Sequence, residues 1–349
     1  MKVLYFTKYS RLGASSRLRS YQYFPYLEKK GIRVSVSPLF SSDYLSNLYE
    51  GNSNGFEILK SYIKRVVKLG TVFHYDKIVI EKELFPYLPA FAEQLLRLFG
   101  VRYVVDYDDA IFHNYDKSPN ALVRFFLKNK IDIVMRNSQS VIAGNDYIKD
   151  RATLAGANRI EVIPTVIDLA RYERLQKDKI NTNFVIGWMG SPTTFKYVQA
   201  IAPVLEELAL NGAQIHIVGA KGDLGFTKNL HFISWEEATE VENIYAFDLG
   251  IMPLEDTPWE KGKCAYKLIQ YMACGLPVIA SPIGMNLEVV QTDKNGYLAN
   301  SHETWMDALK QYKDNPEMRK LHGESGFSVV LEKFTVKSQL KNIIKLLND

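Results

Sequence analysis

Short apolar runs alternate with amphipathic helical segments along this 349-residue sequence, and this alternation constrains the fold more than any other feature. The candidate strands of the first half include Lys2–Phe6, Val34–Val36, Lys77–Ile80 and Arg102–Val105. Segments between them carry apolar residues every three or four positions, as a helix packed on one side does. Strands and helices that alternate over short connections predict a parallel sheet with helices on both faces.

The same pattern begins again after a polar connection, with Phe184–Trp188 as its first strand and Leu249–Met252 and Val278–Ala280 as later ones. A chain of this length is expected to form two domains. We therefore predict an α/β protein with two Rossmann-like, doubly wound parallel-sheet domains that face each other across a ligand-binding cleft. The predicted bounds are 1–165 for the first domain, 166–183 for the linker, 184–334 for the second domain, and 335–349 for a C-terminal helix that could pack on either domain.

Composition is typical of a globular enzyme, with 47% hydrophobic and 23% charged residues. No apolar run approaches the roughly 18–20 residues that span a bilayer. The N-terminal residues lack the long apolar region of a signal peptide and are expected to form a strand. Cys264 and Cys274 make no disulfide framework and have no metal-ligand spacing, so we expect a cytoplasmic protein without a metal site.

Positive charge is concentrated in residues 1–165, which have a net charge of +8, while the remainder has −4. Such a field would attract a lipid headgroup, a diphosphate or nucleic acid. Alternatively, the basic residues lie on solvated helix faces. No zinc-finger spacing or RNP-type motif is present, so nucleic acid is not an expected partner. The basic residues form three groups: Arg11, Arg17, Arg19, Lys29, Lys30 and Arg33; Lys60, Lys64, Arg65 and Lys68; and Arg124, Lys128 and Lys130.

One candidate phosphate site is the loop Gly262–Ala265, which opens a predicted helix from Tyr266 to Cys274. Free N–H groups and the positive end of the helix dipole converge at such a loop. Lys263 and Lys267 add charge there, on one helical face if the first turn begins near Lys263. The alternative is an ordinary helix with two solvated lysines.

A second candidate phosphate site is the turn Gly190–Lys196, which directly follows a strand. Gly190 permits a tight turn, Ser191 and the threonines after it could cap a helix or donate to phosphate, and Lys196 offers a positive charge. The turn has neither the Walker A nor the GxGxxG pattern, which disfavours a nucleoside triphosphatase or a nicotinamide dehydrogenase.

The loop that follows the first strand could bind a phosphate or a polar acceptor, because it combines a glycine turn, hydroxyls and arginines at a helix start. The alternative is a capped surface helix with basic residues. The candidate residues are Gly13, Ser15, Arg17 and Arg19.

Three carboxylates, Asp106, Asp108 and Asp109, follow the strand Arg102–Val105 and would repel one another. They are therefore expected to contact hydroxyls, an arginine or a metal, or to share a proton. One of them could orient a sugar hydroxyl or act as a base. The alternative is that Asp108 or Asp109 caps a helix.

Several motifs in this sequence resemble those of glycosyltransferases of family 4, which have the GT-B fold. The resemblance covers most of the chain and is strongest in the C-terminal half. The motifs are Ala143–Asn145, Val162–Asp168, Asp248–Pro253, Tyr271–Ala280, Gly284 with Glu288, and Asn295–Leu298.

The resemblance implies that a nucleotide-diphosphate sugar binds mostly to the second domain and that the acceptor binds to the first. Lys196 matches the family's phosphate-binding lysine by its spacing from Gly190, whereas Ser191 replaces the usual arginine. Gly262 and Gln270 stand where the family typically has two glutamates. Gln270 could still bind the ribose hydroxyls.

Further departures affect the sugar-binding and catalytic groups. Glu260 could replace the first glutamate at the donor sugar, and Lys263 and Lys267 resemble a variant means of binding the diphosphate. Asp108 aligns with the position where many relatives have a histidine near the reacting carbon.

The function implied is a retaining, metal-independent glycosyltransferase that uses a nucleotide-diphosphate sugar as co-substrate and no cofactor. Its acceptor would be a glycan or a lipid-linked sugar, with peripheral contact to the anionic inner face of the membrane. The alternatives are a nucleotide-sugar epimerase of the same fold, which needs no acceptor, and a non-catalytic sugar-nucleotide-binding protein, which the missing glutamate pair would suit.

Overall fold

The computed structural model describes residues 1–49, 55–172 and 183–349, and the chain divides into two compact units. The first unit contains Met1–Val166, Gly262–Cys264 and Gln339–Asp349, and the second contains Ile167–Lys261 and Ala265–Ser338. Each unit has one six-stranded sheet, and every strand pair is parallel. The predicted α/β class with two parallel sheets is confirmed.

The sheet of the first unit has the strand order β2-β1-β3-β4-β5-β6. β3, β4 and β5 are buried along their whole length, which explains why their sequences are continuous apolar runs. Its strands are β1 (Lys2–Tyr9), β2 (Arg33–Phe40), β3 (Lys77–Glu81), β4 (Tyr103–Tyr107), β5 (Ser140–Ala143) and β6 (Ile160–Val162). Its helices are α1 (Ala14–Arg19), α2 (Phe24–Lys29), α3 (Ser42–Tyr49), α4 (Gly55–Leu69), α5 (Phe91–Leu98), α6 (His113–Asp116), α7 (Ala121–Leu127), α8 (Lys130–Asn137) and α9 (Asp146–Leu154).

The sheet of the second unit has the strand order β12-β11-β10-β7-β8-β9, which is the Rossmann order when counted from β7. Its core includes Trp188, Phe195 and Trp305. Its strands are β7 (Val185–Met189), β8 (Gln214–Val218), β9 (Leu230–Ile233), β10 (Leu249–Met252), β11 (Val278–Ala280) and β12 (Gly296–Leu298). Its helices are α10 (Phe195–Gln199), α11 (Ala202–Leu210), α12 (Glu240–Tyr245), α13 (Pro258–Lys261), α14 (Tyr266–Ala273), α15 (Asn286–Val289), α16 (His302–Asp314) and α17 (Pro316–Lys333).

Several helices that the periodicity predicts as continuous are interrupted. The segment predicted from Tyr197 to Leu210 forms α10 and α11, and Pro203 lies at the start of α11, where its missing N–H costs least. The segment from Asn120 to Ser138 forms α7 and α8. The helix expected before Gly31 is α1, a 3₁₀ turn and then α2, which has a proline in its first turn.

The connections differ from the prediction in two places. The polar, Gly- and Asn-rich sequence of residues 41–55 predicts a connection without helix, but it contains helix α3, and residues 50–54 lie outside the described residues. In the predicted linker, residues 173–182 lie outside the described residues, and Leu169–Arg171 forms a 3₁₀ turn. The last helix, α18 (Val336–Asn348), belongs to the first unit from Gln339 onwards. The predicted division into acceptor-binding and donor-binding domains stays a prediction.

Each sheet has a topological switch point, where the strand order reverses and ligands of open α/β sheets bind. In the first unit it lies between β1 and β3, and in the second unit between β7 and β10. The residues that directly follow these strands therefore define the candidate site within each unit.

Candidate functional site

The switch point of the second unit contains a close contact between two glycines. Gly190 directly follows β7, and its N–H donates to the carbonyl of Val218 at 2.9 Å. A Cβ at Gly190 would lie 2.4 Å from the ring of Trp188, and a Cβ at Gly219 would lie 2.4 Å from the carbonyl oxygen of Gly190. Gly219 has a φ of +85°, which glycine adopts without steric cost. Glycine is therefore needed at both positions for the ends of β7 and β8 to pack this closely.

Lys267 places a positive charge beside this backbone. It is the second residue of α14, and its Nζ lies 5.7 Å from the centroid of the Trp188 ring. Because the same ring lies against Gly190, the ammonium group and the glycine turn are neighbours. The first N–H groups of α14 have no acceptor within the helix and carry the positive end of its dipole. This arrangement suits an anion with several oxygen atoms, such as a diphosphate.

Lys196 lies in α10 and forms a half-exposed ion pair with Glu255, at 3.0 Å. Since Glu255 lies after β10, this pair joins the two sides of the switch point. An exposed pair contributes little to stability, so Lys196 can exchange Glu255 for an anionic ligand. The hydroxyl of Ser191 contacts those of Thr193 at 2.9 Å and Thr194 at 3.4 Å. Ser191 and Thr194 stand at the N-cap positions of a 3₁₀ turn and of α10, but neither side chain forms a capping hydrogen bond. The predicted capping is therefore not formed.

Glu260 and Gln270, which the resemblance assigns to the donor sugar and the ribose, are both buried. The carboxylate of Glu260 accepts hydrogen bonds from the hydroxyls of Tyr197 and Thr257. The amide of Gln270 donates to the hydroxyl of Tyr172 at 3.4 Å. Both side chains are thus held by neighbours inside the second unit, and their contact with a sugar stays a prediction.

Lys263 does not share a helical face with Lys267, because α14 begins only at Tyr266. The loop Gly262–Cys264 groups with the first unit. There, the side-chain amide of Asn145 donates to the carbonyls of Gly262 at 2.9 Å and Lys263 at 3.1 Å. The condition for a shared face, a first helical turn near Lys263, is therefore not met, and a phosphate contact by Lys263 stays a prediction.

The switch point of the first unit holds a buried carboxylate, Glu81, at the end of β3. Its oxygens accept hydrogen bonds from the hydroxyl of Ser16 at 2.6 Å, the hydroxyl of Ser15 at 3.2 Å and the N–H of Lys8 at 3.1 Å. Burial raises the pKa of Glu81, and the charge of Lys82 opposes this rise. These contacts fix the start of α1 against the end of β3.

Lys82 is the central cation of this region. Its Nζ lies 2.9 Å from Oδ1 of Asp108 and 3.6 Å from Oδ2 of Asp109, and its side chain is only 6% exposed. Burial by itself would lower the pKa of Lys82, but the attraction of Asp108, Asp109 and Glu81 raises it. Its φ of 67° is rare for a residue with a side chain. The backbone of Lys82 is therefore strained at the position from which its ammonium group contacts the carboxylates of Asp108 and Asp109.

Asp108, the predicted catalytic carboxylate, is ionised at neutral pH. Burial raises its pKa, but Lys82, Arg19 and a hydrogen bond from Ser15 lower it more, to about 2. The hydroxyl of Ser15 donates to Oδ2 of Asp108 at 2.6 Å. The expectation that the aspartates contact hydroxyls or an arginine is confirmed by Ser15 at Asp108 and by Arg19 at Asp106. Neither Asp108 nor Asp109 caps a helix, since the N-cap of α6 is Phe112.

Arg19 is engaged within the first unit. Its guanidinium donates to the two carboxylate oxygens of Asp106 at 2.9 and 2.5 Å and to the carbonyl of Ile163 at 2.9 Å. Arg17 is also buried. A Cβ at Gly13 would lie 2.4 Å from that of Tyr9, so glycine is needed for packing at the start of α1. Ligand binding by Gly13, Arg17 and Arg19 stays a prediction.

The sequence reasoning missed Glu81 and Lys82. The available signal was the charged run Glu81–Glu83 directly after a buried strand, at the edge of the sheet where parallel strands bring ligand-binding groups together. It also treated all thirteen basic residues of the three groups as candidate surface charges. Four of them are buried: Arg17, Arg19, Arg65 and Lys130.

Two general statements hold for the described residues, 1–49, 55–172 and 183–349. Within those ranges, no helix combines the length and the apolarity that a bilayer span requires. Over the same residues, no three His, Cys, Asp or Glu side chains are grouped so that they could hold a metal ion. Metal independence stays a prediction.

The family and fold are indicated by comparison with known proteins. Residues 183–315 match the family described as "Glycosyl transferases group 1", and this range contains the whole switch point of the second unit. The structure of Anabaena HepE in complex with UDP-glucose superimposes with a TM-score of 0.71 at 17% identity, over 100% of this chain and 99% of that one. The two-unit α/β fold is therefore the GT-B fold, and the predicted fold class is confirmed.

Two curated relatives are similar in sequence. An uncharacterized glycosyltransferase of Methanocaldococcus jannaschii is 25% identical over 263 residues, which are 69% of this chain and 63% of that protein. A probable sucrose-phosphate synthase of Thermosipho melanesiensis is 38% identical over 80 residues, which are 23% of this chain and 18% of that protein. The match thus spans less than two thirds of either relative. Together these findings show the GT-B fold and a similarity to glycosyltransferases that is strongest in the second unit.

Proposed function

We propose that this protein is a glycosyltransferase that moves a sugar from a nucleotide-diphosphate sugar to a glycan or lipid-linked acceptor, in the synthesis of cell-surface polysaccharide or glycoconjugate. One observation carries the proposal: the family match over residues 183–315 coincides with the segment that holds Gly190, Lys196 and Lys267 at a switch point. Because the similar HepE structure contains UDP-glucose, UDP-sugars are the first donors to test.

The lysines of the second unit would stabilise the departing diphosphate. Negative charge develops on this group as the glycosidic bond breaks, and fixed positive groups lower the barrier most when they face that charge. Lys196, Lys267 and the N–H groups at the start of α14 would provide it, with Ser191 as a hydroxyl donor and Lys263 as a further candidate. We propose that these groups act without a metal ion and that the anomeric configuration is retained, as the family resemblance implies.

Asp108 would act on the acceptor side. With a pKa of about 2 it is too weakly basic to be an efficient general base at neutral pH. Its ionised carboxylate, held by Ser15 and Lys82, would instead orient an acceptor hydroxyl or stabilise positive charge at the reacting carbon. Arg19 would then be a positioning residue, which acts through the electrostatics of the aspartates.

Transfer can be tested with a panel of UDP-sugars and glycan acceptors, by measuring acceptor-dependent release of UDP. We expect Lys267→Ala combined with Lys263→Ala to lower the turnover by about 100-fold or more. Lys261→Ala, which removes an exposed lysine paired with Asp256, is the matched control and should leave turnover unchanged. Equal losses in both variants, or no acceptor-dependent release with any donor, would contradict the proposal.

Two other functions are tested by the same reagents, because Gly262 and Gln270 replace the usual glutamate pair. An epimerase would convert the donor without an acceptor, so product analysis of a donor-only incubation separates it from a transferase. A non-catalytic protein would bind a UDP-sugar, detected as a rise in melting temperature, and leave it unchanged. Activity that persists in excess chelator is the result expected for a metal-independent reaction.

We further propose that the chain acts in the cytoplasm at the inner face of the membrane, on a lipid-linked acceptor and without nucleic acid. The net charge of +8 in residues 1–165 supports attraction to anionic lipid. If vesicles that contain anionic lipid do not retain the protein at low salt, this part of the proposal is wrong.

A further inference from the structure

Helix α4 of the first unit turns an apolar stripe to the outside. Ile63 is 57% exposed and Val67 is 71% exposed, and the other members of the stripe are at least as exposed as Ile63. The spacing of these residues places them on one side of a helix with 3.6 residues per turn. An ordinary surface helix turns such a stripe towards the core. The stripe consists of Phe56, Leu59, Ile63, Val66 and Val67.

The opposite, polar side of α4 is the buried one. Arg65 is 1% exposed, its guanidinium donates to the carbonyls of Thr7 at 2.8 Å and Ser37 at 3.0 Å, and it lies 4.9 Å from the centroid of the Phe6 ring. These contacts fix the rotation of the helix. If α4 turned its stripe inwards, the buried Arg65 bonds would break, so the exposed stripe is a property of the folded unit.

Lysines flank the stripe on one side. Lys60 and Lys64 are exposed, and Lys60 pairs with a neighbour on its own helix, Glu57, at 3.4 Å. Lys68 continues the row one turn later and contacts the hydroxyl of Tyr75 at 3.0 Å. An apolar stripe beside a row of lysines is the pattern of helices that lie in the interface of an anionic bilayer.

The apolar surface extends beyond α4. The hydroxyl of Tyr62 in α4 donates to the carbonyl of Pro86 at 2.6 Å, so the loop that contains Tyr87, which is 61% exposed, adjoins the helix. Phe73, three residues after the chain leaves α4 at Gly70, is 66% exposed. Two further exposed aromatic side chains therefore lie in segments next to α4, and exposed apolar surface on this scale marks an interaction site.

We propose that α4 docks this protein on a membrane that contains anionic lipid, with the stripe among the acyl chains near the headgroups and Lys60, Lys64 and Lys68 against the lipid phosphates. The row of lysines favours an anionic lipid surface over an apolar protein surface. An apolar protein surface would offer no anionic partner to the ammonium groups, whereas lipid phosphates would. The inference deepens the membrane part of the proposed function and rests on it, whereas donor binding by the second unit does not depend on it.

The first experiment is flotation of the full chain with vesicles of phosphatidylcholine alone or mixed with phosphatidylglycerol. We expect binding to the mixed vesicles at low salt and a loss of at least about tenfold in Leu59→Ser with Ile63→Ser, since each deletes exposed apolar area that the lipid would bury. Lys60→Glu with Lys64→Glu should lose more than about tenfold on mixed vesicles. Leu321→Ser, at a 65% exposed position of the second unit, is the matched control. Undiminished binding in both α4 variants overturns the proposal.

A second measurement reports where the chain enters the lipid. Cys264 and Cys274 are buried, so a fluorophore sensitive to polarity can be attached selectively at Ile63→Cys or at the control Leu321→Cys. Fluorescence enhancement by mixed vesicles at position 63 and none at position 321 supports the proposal. Equal responses at the two positions overturn it. The proposal is also overturned if the wild type binds no vesicles and sediments as a dimer that the α4 serine variant does not form, since a second copy of the chain would then cover the stripe.

The two levels of the proposal fail separately. A rise in melting temperature with UDP in the α4 serine variant shows that the second unit, which binds the donor, is intact, and wild-type hydrogen exchange in peptides from β1 and β3 shows that the first unit folds. A chain that binds UDP but no vesicles therefore refutes docking by α4 and leaves the transferase proposal standing. A chain that binds mixed vesicles through α4 but transfers no sugar refutes the transferase and leaves the docking surface standing.

Discussion

Replacement of Lys82 with methionine tests the electrostatics of the first unit most sharply. Methionine keeps most of the length of the side chain but removes the ammonium group, which lies 2.9 Å from Asp108 and 3.6 Å from Asp109. The side chains of Lys82 and Asp108 are 6% and 12% exposed, so little solvent can replace the lost charge. Removal of one partner of a buried ion pair typically costs about 3–5 kcal/mol.

The pKa of Asp108 gives a second measure of this effect. A folded-state pKa of about 2 against the ordinary value of 3.8 corresponds to about 2 kcal/mol of stability at neutral pH. Because this pKa is depressed, the stabilisation is present above 3.8 and is lost as the pH falls through about 2. Without Lys82, only Arg19 and the hydrogen bond from Ser15 still oppose the effect of burial, so the pKa of Asp108 rises. The ionised carboxylate then destabilises the variant at neutral pH, and protonation at lower pH relieves that cost.

The assay must report on the first unit, and tryptophan fluorescence does not. All four tryptophans, Trp188, Trp235, Trp259 and Trp305, belong to the second unit. Hydrogen exchange read by mass spectrometry on peptides from β3 and β4 is the appropriate measurement, with wild type and variant compared at the same pH. We expect protection in these peptides to fall about 100-fold or more near pH 7, since 1.4 kcal/mol is a factor of ten, and the loss to shrink near pH 5.

Lys60→Met is the matched control, because its ion pair with Glu57 is exposed and such pairs contribute about 0–1 kcal/mol. The reasoning is refuted if Lys82→Met and Lys60→Met change exchange equally. It is also refuted if the effect of Lys82→Met is independent of pH.

Three further predictions concern other contacts. Tyr271→Phe leaves the buried N–H of Met189 without its acceptor at 2.9 Å and should lower the stability of the second unit by about 1–3 kcal/mol, measured by tryptophan fluorescence in urea; an unchanged midpoint would refute it. Gly187→Ala places a Cβ 2.0 Å from the ring of Phe247 and should cost about 3 kcal/mol in the same assay, and a neutral result would contradict the packing. Burial lowers the pKa of His113 below 6.5, so its neutral form stabilises the fold above 6.5 and this contribution is lost as the pH falls; an NMR titration that gives a pKa above 6.5 would show the opposite.

Local signals in the sequence were sufficient to predict most of the strands and many of the helices. The bounds of α9 follow from the residues around Asn145, whose side chain accepts a hydrogen bond from the N–H of Ile148 at 3.0 Å, as an N-cap does. The buried strands β3 and β11 are short apolar runs bounded by polar residues or glycine and proline, and such runs need no long-range information.

Long-range partners were not predictable from the sequence. Arg19 has the appearance of a surface cation beside a loop, but its carboxylate partner, Asp106, lies 87 positions away along the chain. The left-handed backbone at Lys82 likewise depends on contacts with Asp108 that no local pattern encodes. The sequence therefore predicted the residues of this site that follow β1 and β4, but it did not predict the central cation, Lys82.

Helix α4 shows a different limit of periodicity. The spacing of apolar residues predicts the helix, but it does not state which side packs on the sheet. Arg65 decides this, because its bonds to the carbonyls of Thr7 and Ser37 bury the polar side. The exposed stripe follows from tertiary contacts and could only be found in the structure.

The central claim is that the switch point of the second unit binds a nucleotide diphosphate through Lys267 and the backbone beside Gly190. Calorimetric titration of UDP into the wild type, Lys267→Ala and the control Lys261→Ala tests it directly. We predict saturable binding by the wild type and the control, and an affinity lower by about tenfold or more in Lys267→Ala, as expected for loss of a charge-assisted contact. Absence of UDP binding by the wild type, or equal affinities in all three proteins, would contradict the claim.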